Sequence, residues 1–167
     1  MNEAARHLQR LAPQDVDAVS ALARVVWQTT YPALISQAQI EAMLADRYAV
    51  ARIRSQLDDP RHAWWVVRQN LTPVGFAHAV LESTDCKLDK LYIHPDHQRQ
   101  GIGTTLVHAI QQWAKQQQAG RLWLQVNRGN AQAIAAYRKY GFRIAESRVF
   151  DIGHGFVMDD HVMEQLL

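Results

Sequence analysis

A chain of 167 residues with 48% apolar and 20% charged side chains has the balance of a folded protein, long enough to bury a core. The net charge of +2, with basic residues scattered and not gathered into a stripe, gives no reason to expect nucleic acid as a partner; no apolar run approaches the roughly 18 residues of a membrane-spanning helix. Cys86 is the single cysteine, and no apolar leader follows Met1-Asn2-Glu3-Ala4-Ala5-Arg6, so a cytoplasmic protein without disulfides is expected.

His7 to Arg10 suits a short first strand. Past Pro13, Val16, Val19, Leu22, Ala23 and Val26 recur at three- and four-residue spacing, which predicts a helix ended by Pro32. Ser36 and Gln39 form a capping-box pattern for a second helix, whose buried stripe runs through Ile40, Met43, Leu44, Val50, Ile53 and Leu57 to Asp58-Asp59-Pro60. From Ala63 the period changes: residues 63–67 and 74–81 are strand-like runs joined by a hairpin connection, and residues 87–94 form a third strand stopped by Pro95. A long helix follows from Gly101 to about Gln118, apolar at Ile102, Leu106, Ala109, Ile110 and Trp113, with Gly120 as its stop signal. Then come a strand at 121–126, a helix from Asn130 to Tyr140 ended by Gly141, and two strands, about 142–150 and 157–166, around Asp151-Ile-Gly-His-Gly155. Strand–helix–strand order in the second half requires a parallel crossover, while the hairpins make the remainder antiparallel. The expected class is α/β: a single domain over residues 1–167 with one mixed, mostly antiparallel sheet of six to seven strands flanked by about four helices.

The most informative segment is His94-Pro-Asp-His-Gln-Arg-Gln-Gly-Ile-Gly-Thr104, between a strand and the long helix. Glycine in a helix interior costs about 1 kcal/mol relative to alanine, yet Gly101 and Gly103 both stand where this helix begins. Without Cβ atoms the backbone can be approached closely, and the first N–H groups of a helix have no partner inside it. With the helix dipole they make an anion site, to which Arg99 adds charge and Thr104 a hydroxyl. A pyrophosphate suits this chemistry. The dinucleotide fingerprint would need glycine where Leu106 stands, and a phosphate-binding Walker loop would need lysine after Gly103. A tight strand-to-helix turn without a ligand is the competing explanation.

Gln98-x-x-Gly101-x-Gly103, following Leu91-Tyr-Ile-His-Pro95, resembles the acetyl-CoA signature of the GCN5-related N-acetyltransferase (GNAT) superfamily. Asn130, Ala133, Tyr137, Gly141 and Phe142 resemble its second signature, and Val74-Gly-Phe-Ala77 is similar to its third strand; the likeness spans about residues 62–150. The resemblance implies a GNAT-like sheet with strands splayed at the cofactor site, and acetyl-CoA as acyl donor without a metal. It implies that the amides of Gln98, Arg99, Gln100, Gly101, Ile102, Gly103 and Thr104 hold the pyrophosphate, and that Leu91, Tyr92 and Ile93 run beside the pantetheine arm. An amide-bearing arm can add to an exposed strand edge. Admitting it calls for a bulge around Leu91, and an N–H near Ile93 can then polarise the thioester carbonyl. Asn130 is first an N-cap and, by resemblance, also a contact of the cofactor arm. Tyr137 is implied as the acid for the departing thiolate, with a plain core tyrosine as the alternative.

The residues do not identify a general base. Many members of the superfamily carry a glutamate where Lys87 stands; Asp89 and Glu82 are the nearest carboxylates, and a base acting through water is the favoured reading. The resemblance divides the chain into acceptor-side helices (1–60), an acyl-CoA core (62–150) and a closing hairpin strand (151–167). Trp27 and Tyr31, one helical turn apart, are candidates to line an aromatic acceptor pocket, with core packing as their plainer role. The Asp151–Gly155 turn borders the same pocket in this reading, and Glu41, Asp46, Asp159 and Asp160 are candidates to attract a cationic amine. His94 and His97, at His-x-x-His spacing, and His108 on the next helix read as solvated histidines and not as metal ligands. The expected function is transfer of acetyl from acetyl-CoA to a primary amine of a small molecule or peptide by direct attack on the thioester. A non-catalytic acyl-CoA sensor is the alternative, and a homodimer stays open.

Overall fold

The computed structural model describes residues 5–167; residues 1–4, which carry most of the reading of no apolar leader, lie outside the described residues. The strands are β1 (Arg6–Arg10), β2 (His62–Gln69), β3 (Thr72–Glu82), β4 (Asp85–Ile93), β5 (Arg121–Asn127), β6 (Arg143–Gly153) and β7 (Phe156–Leu166). They form one sheet in the order β1-β2-β3-β4-β5-β7-β6, antiparallel at every pairing except β4 with β5. Helices α1 (Val16–Thr30), α2 (Gln37–Arg47) and α3 (Val50–Leu57) cover one face; α4 (Ile102–Gln116) covers the other, joined by part of α5 (Ala131–Lys139). The mixed, mostly antiparallel α/β sheet expected from the sequence is the one observed.

Both faces of the central strands are covered, so their sequences read as apolar runs and not as strict alternation. In β2, Trp64 and Val66 pack toward α1–α3 while Ala63, Trp65 and Val67 pack toward α4, the two-residue period of a strand. Leu106 and Ile110 seat α4 with no exposed surface. Truncating either to alanine costs about 2–5 kcal/mol and loosens the helix.

Two helix expectations are corrected. The stretch from Ser36 to Leu57 is two helices and not one. Ser36 does cap α2, accepting from the Gln39 amide at 3.1 Å. The Gln39 side chain, however, turns away to donate to the Val157 carbonyl at 2.7 Å, so only half of the capping box forms. α2 then stops because Tyr48 is claimed by tertiary bonds: Ser20 Oγ donates to its carbonyl at 2.8 Å and Trp27 Nε1 to its hydroxyl at 3.0 Å. At the end of α4 the stop is Gln118 and not Gly120. Gln118 takes the left-handed conformation (φ 61°), its N–H donates to Lys115 and that of Ala119 to Ala114, both at 3.0 Å, a Schellman arrangement with glutamine at the usual glycine position. Gly120 instead donates to the Thr84 carbonyl at 2.9 Å.

Two irregularities in the sheet create the site. β4 and β5 pair only at Cys86 with Leu122 and Lys87 with Trp123, and part beyond that point. β4 also carries a bulge, since His78 pairs with Lys90 and Ala79 with Leu88, leaving Asp89 as the extra residue. The bulge was expected around Leu91; it lies two residues earlier, where Asp89 and Lys90 bond each other. Neighbouring strand side chains normally point apart, and the bulge turns these two to the same face.

Candidate active site

The turn before α4 has a backbone conformation suited to an anion. Arg99 (φ 60°) and Gly101 (φ 84°) are left-handed at alternate positions, an arrangement that gathers successive N–H groups on one side. Among the described residues, none of the amides from Gln98 to Thr104 is bonded to another group. They stand at the amino end of a 15-residue helix and border a cleft of about 1110 Å³, lined by Gln98, Arg99, Gly101, Ile102, Gly103 and Thr104. Gln100 does not line it: Arg6 of β1 donates to the Gln100 carbonyl at 3.1 Å and also contacts its side chain. Arg6, which no motif singles out, thus ties the turn to the sheet. The two glycines have different reasons. Gly101 supplies the positive φ and its face is open, whereas a Cβ on Gly103 would collide with the Tyr140 hydroxyl.

From the turn the cleft runs between the parted strands, with Leu91, Tyr92 and Ile93 on one side and Gln125 and Val126 on the other. The Gln98 side chain donates to the Ile93 carbonyl at 3.3 Å, fastening the turn to the end of β4. Asn130 caps α5, accepting from the Ala133 amide at 3.3 Å, and lines the cleft as well. Tyr137, on α5, faces the cleft with a hydroxyl that has no hydrogen-bond partner among the described residues. Burial pushes that hydroxyl well above the usual tyrosine range, so it keeps its proton at neutral pH.

A second, smaller cavity of about 50 Å³ lies on the α1–α3 side. Tyr31, Tyr92 and Gln125 line both spaces, so the two adjoin. Trp27, Tyr31, Tyr48 and Tyr92 form its aromatic wall: the Trp27 and Tyr31 rings lie 4.2 Å apart, and the Tyr31 and Tyr92 hydroxyls 3.0 Å. Core packing and pocket lining, posed as alternatives for Trp27 and Tyr31, are here the same thing. Ile152, from the β6–β7 hairpin, also borders this cavity.

The charged residues separate clearly. Asp89 lines the small cavity but is fully engaged, 2.5 Å from Lys90 Nζ, 3.1 Å from His78 Nδ1 and 3.5 Å from Lys87 Nζ. Burial opposes its charge, yet Lys90 and His78 outweigh burial and hold the carboxyl well below the usual range. His78, pushed down to about 4 chiefly by burial, is neutral and donates to Asp89, while its other nitrogen lies 2.8 Å from His62 Nδ1. Glu82 is exposed at the turn end of the β3–β4 hairpin and lines neither space, which removes it as a candidate near the chemistry. Glu41, Asp46 and Asp159 pair on the surface with Arg24, Arg52 and Arg128. Asp160 alone of those four enters the cavity: it is 3% exposed, its Oδ1 has no partner among the described residues, and burial pushes it up to about 6. Consecutive strand residues face opposite sides, so only one of Asp159 and Asp160 could point inward. His94 Nδ1 accepts from the Asp96 amide at 3.0 Å, and no group of three metal-ligating side chains stands together among the described residues.

Residues 24–142 match the model of the Acetyltransferase (GNAT) family. The chain belongs to this family. It is 31% identical over 140 residues to an uncharacterized N-acetyltransferase of Mycobacterium tuberculosis (strain ATCC 25618 / H37Rv), covering 83% of this chain and 90% of that one. It is 24% identical over 159 residues to spermidine N(1)-acetyltransferase of Thermoplasma acidophilum, covering 91% and 94%. The crystal structure of PaiA N-acetyltransferase from Thermoplasma acidophilum in complex with coenzyme A has the same fold, with a TM-score of 0.85 over 98% of this chain and 99% of that one, at 21% identity. As a GNAT member the chain is a coenzyme A-dependent N-acetyltransferase, and the sensor alternative is not favoured. No helix among the described residues is long and apolar enough to cross a membrane.

Proposed function

We propose that this GNAT protein moves the acetyl group of acetyl-CoA to a primary amine of a small molecule or peptide by direct attack on the thioester. The observation that carries this reading is the junction of the two spaces at Tyr31, Tyr92 and Gln125. A long cleft with free amides at one end meets, where β4 and β5 part, a small chamber with an aromatic and charged lining. The coenzyme A in the similar structure and the amine acceptor in the name of the spermidine relative support the two halves of the reaction.

In this reading the amides of residues 98–104 receive the pyrophosphate, with Arg99 and Thr104 beside them. The pantetheine arm adds to the free edge of β4 along Leu91, Tyr92 and Ile93, and an N–H near Ile93 polarises the thioester carbonyl. Asn130 keeps its cap and touches the arm. The amine nitrogen forms the C–N bond, the C–S bond breaks, and Tyr137 gives its proton to the departing sulfur. Cys86 supports direct attack over an acyl-cysteine intermediate: it is fully buried, and burial pushes its thiol up to about 12. A single buried free thiol also suits a cytoplasmic setting. The acceptor side in this reading draws on the first helices through Trp27, Tyr31, Arg47 and Tyr48, on β4 through Lys87, Asp89 and Lys90, and on β7 through Asp160.

The test is to incubate the protein with acetyl-CoA and a panel of primary amines, following free thiol and product mass. Amine-dependent thiol release with a product 42 mass units (on the order of one acetyl group) heavier is expected. Cofactor binding without release by any amine would contradict the transfer.

A further inference from the structure

Resting on the proposed acetyl transfer, we infer that Asp160 receives the ammonium end of the acceptor and removes its proton, the acceptor being a primary amine on an unbranched stem. Every other carboxylate near the chamber is engaged: Asp89 with Lys90, Lys87 and His78, and Asp159 with Arg128 on the surface. Asp160 Oδ1 is buried without a partner among the described residues. A buried carboxylate left in that state is unfavourable unless a proton or a cation meets it. The chamber that meets it is small, and the aromatic side chains of Trp27, Tyr31, Tyr48 and Tyr92 line it. Ring faces attract an ammonium, and a volume of about 50 Å³ admits a slender end and not a bulky one.

The groups around Asp160 set its acidity in a way that serves the role. Burial raises it most and Asp159 adds to that; Arg47 from α2 and Lys87 from β4 oppose, and the outcome is about 6. The Tyr31 hydroxyl lies on the same chamber, and Asp89 and Lys90 across it neutralise each other. On the flanking strands, Asn127 of β5 and Arg148 of β6 are its register partners; Arg148 pairs with Glu146 and His161 bonds Ser147. A carboxylate of this kind is ionised at pH 7 yet a better proton acceptor than an ordinary aspartate. An alkylamine near pKa 10.4 arrives protonated. It gives one proton to Asp160, and the neutral nitrogen attacks the thioester carbon. The second proton leaves the nitrogen of the tetrahedral intermediate and replaces the one Tyr137 donates to sulfur. The balance is ammonium plus thioester giving amide, free thiol and one proton, which Asp160 returns to solvent.

The experiment compares wild type with Asp160→Asn, a substitution that keeps the shape. With acetyl-CoA and a series of unbranched primary alkylamines at pH 7, the variant is expected to lose at least about 100-fold in kcat/KM. The gap narrows toward pH 10, where solution supplies the neutral amine. A second readout needs no turnover. Because the folded state holds the Asp160 proton more tightly than the unfolded state (about 6 against 3.8), the aspartate's contribution to stability is lost as pH rises through this window. Asp160→Asn is therefore expected to melt above wild type at pH 7–8, with the difference vanishing near pH 4. A variant within threefold of wild-type turnover at pH 7, or one that melts lower at pH 8, overturns the inference, as does failure of the whole alkylamine series with the wild type. Cofactor affinity measured on the same samples keeps the two readings apart. Absence of affinity in both proteins defeats the donor assignment, whereas intact affinity with unimpaired turnover in the variant defeats the Asp160 assignment alone.

Discussion

The proposed cofactor cleft and acceptor chamber share three lining residues but are built by opposite means. The decisive part of the cleft is one continuous segment, in which the main chain of the turn before α4 presents N–H groups through two left-handed residues and a helix start. The chamber is a mosaic of side chains: Trp27 from α1, Tyr31 at its cap, Arg47 and Tyr48 at the end of α2, Lys87, Asp89, Lys90 and Tyr92 from β4, Ile152 and Asp160 from the last two strands. A site made of backbone depends on where glycines fall. A site made of distant side chains depends on the fold being right everywhere at once. The first kind tolerates divergence in most side chains around it, and the second can change its substrate through a few of them.

Substitutions can strain this contrast from both sides. The largest effect is expected of Gly103→Trp, which cannot coexist with Tyr140 in its present place and fills the cradle. Affinity for coenzyme A should fall more than about 100-fold by calorimetry, with melting followed to confirm that the protein is folded; unchanged affinity would remove the cradle from the account. Tyr137→Phe comes next and probes the boundary between the two regions. It removes only the hydroxyl and with it the proton donor, so kcat should drop on the order of 10- to 100-fold while the dissociation constant for acetyl-CoA stays within about twofold. Full turnover would clear Tyr137 of the acid role. Arg6→Ala is the smallest. Its bonds to Gln100 are exposed, so freeing the turn should weaken coenzyme A about two- to fivefold and leave the KM for the amine untouched. A change in amine KM instead would mean that turn and chamber are not separable.

How much could be read in advance follows the same division. Gly101, Gly103, Asn130 and Gly141 mark turn, helix start, cap and helix end by local rules, and the splayed sheet followed from the GNAT-like spacing of its signatures. Gln118 shows where local rules fail, because a glutamine took the left-handed position two residues ahead of the glycine that advertised it. The break at Tyr48 was hidden for a different reason. Its bonds to Ser20 and Trp27 span 28 and 21 residues, and nothing in the local pattern announces them. With that break went the chamber wall that Tyr48 and Arg47 form. Asp160 was visible only as one of two adjacent carboxylates, and the strand register that chose between them is a property of the assembled sheet. Asp89 shared a face with Lys87 as expected, but its bulge, and hence its capture by Lys90, could not be located from alternation alone.

Titration of coenzyme A into the purified protein by calorimetry tests the main-chain cradle most directly. A single site is expected, and ligand at 100 times the dissociation constant should raise stability by about 2.7 kcal/mol. No heat of binding and no rise in melting temperature would contradict the account.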